Sequence, residues 1–99
     1  MEAMLKPGSL KGKTIIVTGG GTGLGRSMGK YFLELGGNLV ITSRKADILE
    51  KTAAALTSET GGRVLAVPCD VRKYDEVENV IRRSEAEFGQ INGVINNAA

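Results

Sequence analysis

The sequence predicts an α/β fold built on a doubly wound parallel sheet, and three observations carry that prediction. An apolar run, Thr14–Thr18, passes without a linker into a glycine-rich turn and then into apolar residues at helical spacing. From there strand-like and helix-like stretches alternate as β-α-β-α-β-α-β to the last residue. The connections are only a few residues long, so right-handed crossovers set the strands parallel with helices on both faces. The expected strand order is 3-2-1-4. The fourth strand then crosses to the far side of the first and opens a crevice at the carboxyl ends of the strands.

Residues 1–12 are a lead-in, with Pro7-Gly8 as a turn signal and no chemistry assigned. Ile15, Ile16 and Val17 form the continuous β-branched run of a strand covered on both faces. The first helix is expected from Leu24 to Leu35, with Leu24, Met28, Tyr31, Phe32 and Leu35 at helical spacing and Gly36-Gly37 as its stop. Strand two, Asn38 to Thr42, ends in Ser43-Arg44-Lys45. A second helix from Ala46 to Thr57 aligns Leu49, Ala53 and Leu56 on one face and places Asp47 in its first turn, where a negative charge suits the dipole. Gly61-Gly62 breaks it. Strand three, Arg63 to Pro68, carries Cys69-Asp70-Val71-Arg72 at its carboxyl end. The third helix, Tyr74 to Phe88, is expected to bury Val77, Val80, Ile81, Ser84 and Phe88, and Gly89 ends it. Strand four begins near Gly93 and runs into Val94-Ile95-Asn96-Asn97-Ala98-Ala99.

Composition narrows the function classes. Ninety-nine residues with 41% hydrophobic content allow one small unit, so residues 1–99 are read as a single domain. The net charge is +2, the basic residues are dispersed, and the four aromatic residues do not interleave with them, which argues against nucleic-acid binding. Cys69 is the sole cysteine; it excludes an internal disulfide, fits a reducing compartment, and reads as a small packing residue because no basic titratable partner accompanies it. Histidine is absent, so neither a histidine base nor a His/Cys metal cluster is expected. No apolar stretch approaches the roughly 20 residues of a bilayer span, and the amino terminus lacks a secretory layout. A soluble, cytoplasmic chain without membrane contact is expected.

The chemistry gathers at the strand ends. Gly19, Gly20, Gly21, Gly23 and Gly25 fall within seven residues between a strand and a helix. A turn of that kind brings bare backbone N–H groups against a pyrophosphate at the positive end of the helix dipole. A plain glycine-rich surface loop is the blander alternative. A triphosphate P-loop is a second, since Gly20-x-x-x-x-Gly25-Arg26-Ser27 is one substitution from that pattern, but Arg26 stands where a lysine must reach the terminal phosphates. Dinucleotide folds that bind NAD often place an acid at the end of strand two for the ribose 2′-hydroxyl. This chain has Arg44 there. A guanidinium forms a forked, charge-assisted pair with a 2′-phosphate and Lys45 adds a point charge, so the expected cofactor is NADP(H). The duller alternatives are a solvated arginine at a helix start for Arg44, a turn cap before the third helix for Asp70, and a plain turn for Asn96-Asn97.

Thr18-Gly19-x-x-x-Gly23-x-Gly25, with Asp70 after strand three and Asn96-Asn97-Ala98 on strand four, resembles the short-chain dehydrogenase/reductase family from about Leu10 to Ala99. Within it, GGGTGLG, SRK, CDVR and NNAA look most like the 2,4-dienoyl-CoA reductases, including Ala99 where the common motif has glycine. The resemblance implies a Rossmann-like fold. It assigns Gly19, Gly21, Thr22, Gly23 and Leu24 to the cofactor's pyrophosphate and adjoining ribose, Asp70 and Val71 to its adenine, and Asn97, Ala98 and Ala99 to a ribose-lining backbone. Asn96 is implied to be structural, tying neighbouring strands. The family's later Ser, Tyr and Lys group, with its Tyr-x-x-x-Lys spacing, has no counterpart: Leu35 follows Tyr31 and Glu78 follows Tyr74 at that distance. No catalytic residue is therefore named.

The expectation is the NADPH-binding half of an oxidoreductase, truncated after the fourth strand and inactive alone, whose full form is a homotetramer reducing an acyl-CoA, as in fatty acid metabolism, or a carbonyl compound. Truncation would leave strand four an open edge and favour poor solubility or a different oligomer. A non-catalytic NADP-binding sensor is the alternative.

Overall fold

The structure, a computed structural model, describes residues 8–21 and 23–97. Its elements are β1 (Thr14–Thr18), α1 (Gly23–Glu34), β2 (Asn38–Ser43), α2 (Ala46–Thr60), β3 (Val64–Pro68), α3 (Tyr74–Phe88) and β4 (Gly93–Asn96). All strand pairs are parallel and the sheet order is β3-β2-β1-β4, the doubly wound order the alternation predicts. Register sets Thr18 beside Thr42 on one side and beside Asn96 on the other, so the carboxyl ends of β1, β2 and β4 lie level.

Strand residues alternate between two cores. Val17, Leu39 and Ile41 point to the face where Leu33 of α1 and Leu49 and Leu56 of α2 are buried. Ile16, Val40 and Val67 point to the other, against Val80 of α3 and Cys69. This two-sided burial is why the strands read as unbroken apolar runs.

Periodicity misjudged some contacts. The buried stripe of α1 is Gly25, Gly29 and Leu33, whereas Leu24 is 67% exposed. A Cβ at Gly29 would meet Leu39 Cδ2 at 2.7 Å, so the glycine lets α1 come close to the sheet, while Leu33 is buried in that core and Met28 and Phe32 pack against it. Ile81 of α3, expected to be buried, is exposed; with Val71 and Val94 it fringes a shallow apolar groove on that face. Spacing identifies a helix face but not what covers it. Helix α2 runs three residues beyond the expected Thr57: Thr60 Oγ1 donates to the Leu56 carbonyl at 2.7 Å, and the helix stops at Gly61, which takes the left-handed conformation (φ 71°) and donates its N–H to Thr57. Strand β3 begins at Val64, one residue later than expected. Arg63 instead lies over the Phe88 ring, 4.9 Å from its centroid. Among the described residues no helix is long and apolar enough to cross a membrane.

Thr14 opens β1 with its backbone N–H donating to Asn92 Oδ1 at 2.9 Å and its carbonyl accepting from Asn92 N–H at 2.8 Å. Its hydroxyl is fully buried without a partner. Thr14→Val retains the branched shape and both backbone bonds while removing a desolvated hydroxyl, so it should stabilise the chain by about 1 kcal/mol. Urea unfolding measures this, and a loss of stability would show that the hydroxyl is in use.

Candidate functional site

A crevice of ≈ 760 Å³ opens at the carboxyl ends of the strands. Gly19 and Gly21 enter from the turn after β1, Thr42 to Lys45 from the end of β2, Ile48 from α2, Cys69 to Arg72 from beyond β3, and Asn96 from β4. Six of the residues singled out in the sequence thus line one crevice: Gly19, Gly21, Arg44, Lys45, Asp70 and Val71. Gly23, Leu24 and Asn97 adjoin the crevice in sequence but do not line it, and Thr22, Ala98 and Ala99 lie outside the described residues.

Helix α1 starts close behind the turn because Gly25 has no side chain. A Cβ there would collide with the Gly19 carbonyl oxygen and come within 2.8 Å of Asn97 Nδ2. Gly19 itself is left-handed (φ 67°), and its N–H donates to the Thr42 carbonyl at 2.7 Å. That donor is spent on fixing the turn to β2. Thr52 of α2 contributes a contact that the sequence reading missed: its buried hydroxyl donates to the Gly21 carbonyl at 2.6 Å and ties the turn to α2. Its signal was a polar residue on the apolar face of a helix. No acidic residue stands in the first turn of α1 to oppose an anion.

Beside the crevice, the ends of β1 and β4 are tied together. Thr18 Oγ1 donates to Asn96 Oδ1 at 2.9 Å and accepts the Asn97 N–H at 2.9 Å, which gives Asn96 a strand-tying position. Across the rim, Arg44 and Lys45 are exposed, and among the described residues neither has an ion-pair partner. Ser43 Oγ accepts the Lys45 N–H at 3.2 Å and shapes the turn that presents them.

Asp70 does two things. Its Oδ1 accepts the Arg72 backbone N–H at 3.0 Å, the local turn that leads into α3, and its carboxylate also meets the Arg72 guanidinium in a fork, Nε to Oδ1 at 3.0 Å and Nη2 to Oδ2 at 2.9 Å. The Asp70 N–H donates to Glu76 Oε1 at 2.9 Å. The side-chain fork from Arg72, then its backbone N–H, hold the Asp70 carboxyl well below its ordinary value, and the charge of Arg44 adds to them. Arg72 is the second residue overlooked in the sequence. Cys69 is buried, and that burial pushes its thiol up, in keeping with a packing residue. Arg26 pairs with Glu59 of α2 at 3.3 Å and does not line the crevice, which removes the cation a P-loop reading requires. Among the described residues no group of three or more His, Cys, Asp or Glu gathers as a metal site.

The crevice therefore offers a side-chain-free turn at a helix start, and a second, cationic patch one crossover away. A turn without a Cβ at Gly19 and Gly21, and an exposed pair of cations, are features that recognition of two linked anionic groups requires.

Comparison with known proteins agrees with this geometry. The family model described as short chain dehydrogenase matches residues 13–99. An uncharacterized oxidoreductase of Caenorhabditis elegans is 43% identical over 96 residues, covering 96% of this chain and 31% of that protein. A probable 2,4-dienoyl-CoA reductase of the same organism is 35% identical over 97 residues, covering 97% and 31%. The L-sorbose reductase of Gluconobacter frateurii, solved with NADPH and L-sorbose, superposes with a TM-score of 0.88 at 30% identity over 95% of this chain and 36% of its own. The chain thus spans about a third of the length of these proteins.

Gly25→Ala should destabilise the chain by about 1–3 kcal/mol, since the colliding atom is backbone and the turn must shift to admit a methyl group; chemical denaturation measures it. A second outcome concerns pH. Because the Asp70 carboxyl is depressed in the folded chain, its ion pair adds stability above the ordinary value of 3.8, and that stability is lost as pH falls below it. The stability gap between the unaltered chain and D70N should hold steady from about pH 5 to 8 and close below about pH 4, measured by urea unfolding at stepped pH.

Proposed function

The chain belongs to the short-chain dehydrogenase family, and on that premise we propose that it is the NADP(H)-holding portion of an oxidoreductase acting on an acyl-CoA or carbonyl substrate. The observation that carries this reading is the position of Arg44 and Lys45: exposed cations without ion-pair partners among the described residues, on the crevice that the glycine turn also lines. An acid at that strand end would serve an unphosphorylated ribose; a guanidinium there serves a 2′-phosphate.

In this reading the turn from Gly19 through Gly21, Thr22, Gly23 and Leu24 holds the pyrophosphate and its ribose at the start of α1. Arg44 forks onto the 2′-phosphate, with Lys45 beside it. Asp70 accepts from the adenine amino group while Val71 packs on the ring, and Asn97, Ala98 and Ala99 lend backbone to the second ribose. When bound, the nicotinamide supplies or accepts the hydride. This chain's residues bind and orient it, and proton donation falls to residues beyond it, since no Tyr-x-x-x-Lys pair is present. The chain alone is therefore expected to turn over no substrate. The dienoyl-CoA relative supports an acyl-CoA substrate and the sorbose reductase a carbonyl one.

Arg44→Asp tests the reading. Affinity for NADP⁺ should fall by at least about ten- to a hundredfold, the worth of the lost charge-assisted pair, while affinity for NAD⁺ holds or rises because the new carboxylate can accept from the ribose 2′-hydroxyl, as measured by titration calorimetry. An unaltered ratio of the two affinities would refute it.

A further inference from the structure

Resting on that reading of the crevice, we infer that Arg72 is a positioning residue that sets coenzyme choice without touching the 2′-phosphate: it neutralises Asp70, the one carboxylate on a wall otherwise charged by Arg44 and Lys45.

The crevice wall holds three cations, Arg44, Lys45 and Arg72, against a single anion, Asp70. Left bare, the Asp70 carboxylate would repel a phosphate held by Arg44, because both residues line the same cavity and their charges reach one another. Arg72 removes that repulsion by a two-bonded fork whose geometry a lysine would not reproduce. The nearby Glu76 is balanced in the same way, its Oε2 lying 3.6 Å from Lys73 Nζ. The wall thus presents Arg44 and Lys45 to a ligand with no opposing charge.

The fork also rations what Asp70 can do. Oδ1 accepts both the backbone N–H and Nε of Arg72, and Oδ2 accepts Nη2. Of the roughly four acceptor sites of a carboxylate, about one remains, on Oδ2. An amino group can still be recognised there, whereas the charge that would reject a phosphate has been answered. Asp70 keeps its selectivity for a base and loses its antagonism to an anion.

The test compares NADP⁺ and NAD⁺ binding by titration calorimetry in the unaltered chain, R72Q and D70N/R72Q. The two ligands differ only in the 2′-phosphate, so adenine contacts cancel in the ratio of their affinities. The side chain of Arg72 is 73% exposed and lies outside both cores, so its replacement costs only the Asp70 ion pair's share of stability and leaves the fold in place. R72Q should narrow the preference for NADP⁺ by about three- to tenfold at low ionic strength, with the effect fading near 1 M salt, where the Debye length is about 3 Å. D70N/R72Q should restore the preference. An R72Q ratio equal to that of the unaltered chain overturns the inference while leaving the role of Arg44 standing. A narrowed ratio that D70N fails to restore also overturns it, since Arg72 would then act by direct contact. If the unaltered chain binds neither coenzyme, or both equally, the proposed function falls and the inference with it.

Discussion

The whole arrangement depends on one backbone contact, the approach of the first turn of α1 to the carbonyl of Gly19. It exists because position 25 carries only hydrogen. From it follow the tight turn after β1, the placing of a helix start at the level where the strands end, and the seat for Gly29 against Leu39 one turn further on. The same contact explains why the turn's polar groups are so firmly assigned. Gly19 N–H belongs to Thr42 and the Gly21 carbonyl to Thr52, so β2 and α2 hold the turn from either side. A backbone held in this way pays its ordering cost in folding instead of at binding.

Charge is distributed by a different logic. The helix start and the cations of the β2 end lie on separate segments, brought together only by the crossover through α1. The parallel sheet sets Thr18 level with Thr42, and that register fixes where the turn after β1 stands relative to Arg44 and Lys45. The Asp70–Arg72 fork pairs the one carboxylate that lines the crevice among the described residues.

Much of this was legible in the chain itself. The strand order followed from alternation and short connections, and the joint position of Gly19, Arg44 and Asp70 followed from each residue ending a strand, because a parallel sheet gathers such ends on one edge. What escaped was contact between residues of unlike type. Thr52 reads as a helix residue of middling propensity, and only the folded chain shows a carbonyl 2.6 Å from its hydroxyl. Of the apolar residues spaced along α1, Met28 and Phe32 do pack on the core and Leu35 is buried, but Leu24 is exposed, and the close approach made by Gly25 and Gly29 went unread, since apolar spacing counts side chains and cannot register a contact that lies in having none. Arg72 was overlooked because a charged residue two places after an aspartate looks like solvated surface until the guanidinium is seen folded back on it.

The Thr18 hydroxyl, described above as a strand tie, carries a wider consequence. Its proton goes to Asn96 and its oxygen receives the Asn97 N–H, so it fixes how β1 and β4 end beside the crevice without being one of the groups that line it. Arg44, Lys45 and Arg72, which do line the crevice, are solvent-facing and bear no part of either core. The charges of the crevice and the packing of the fold are therefore separable under mutation. On the proposed reading, a lineage can trade one coenzyme for another by altering a few outward residues while the scaffold stays as it is.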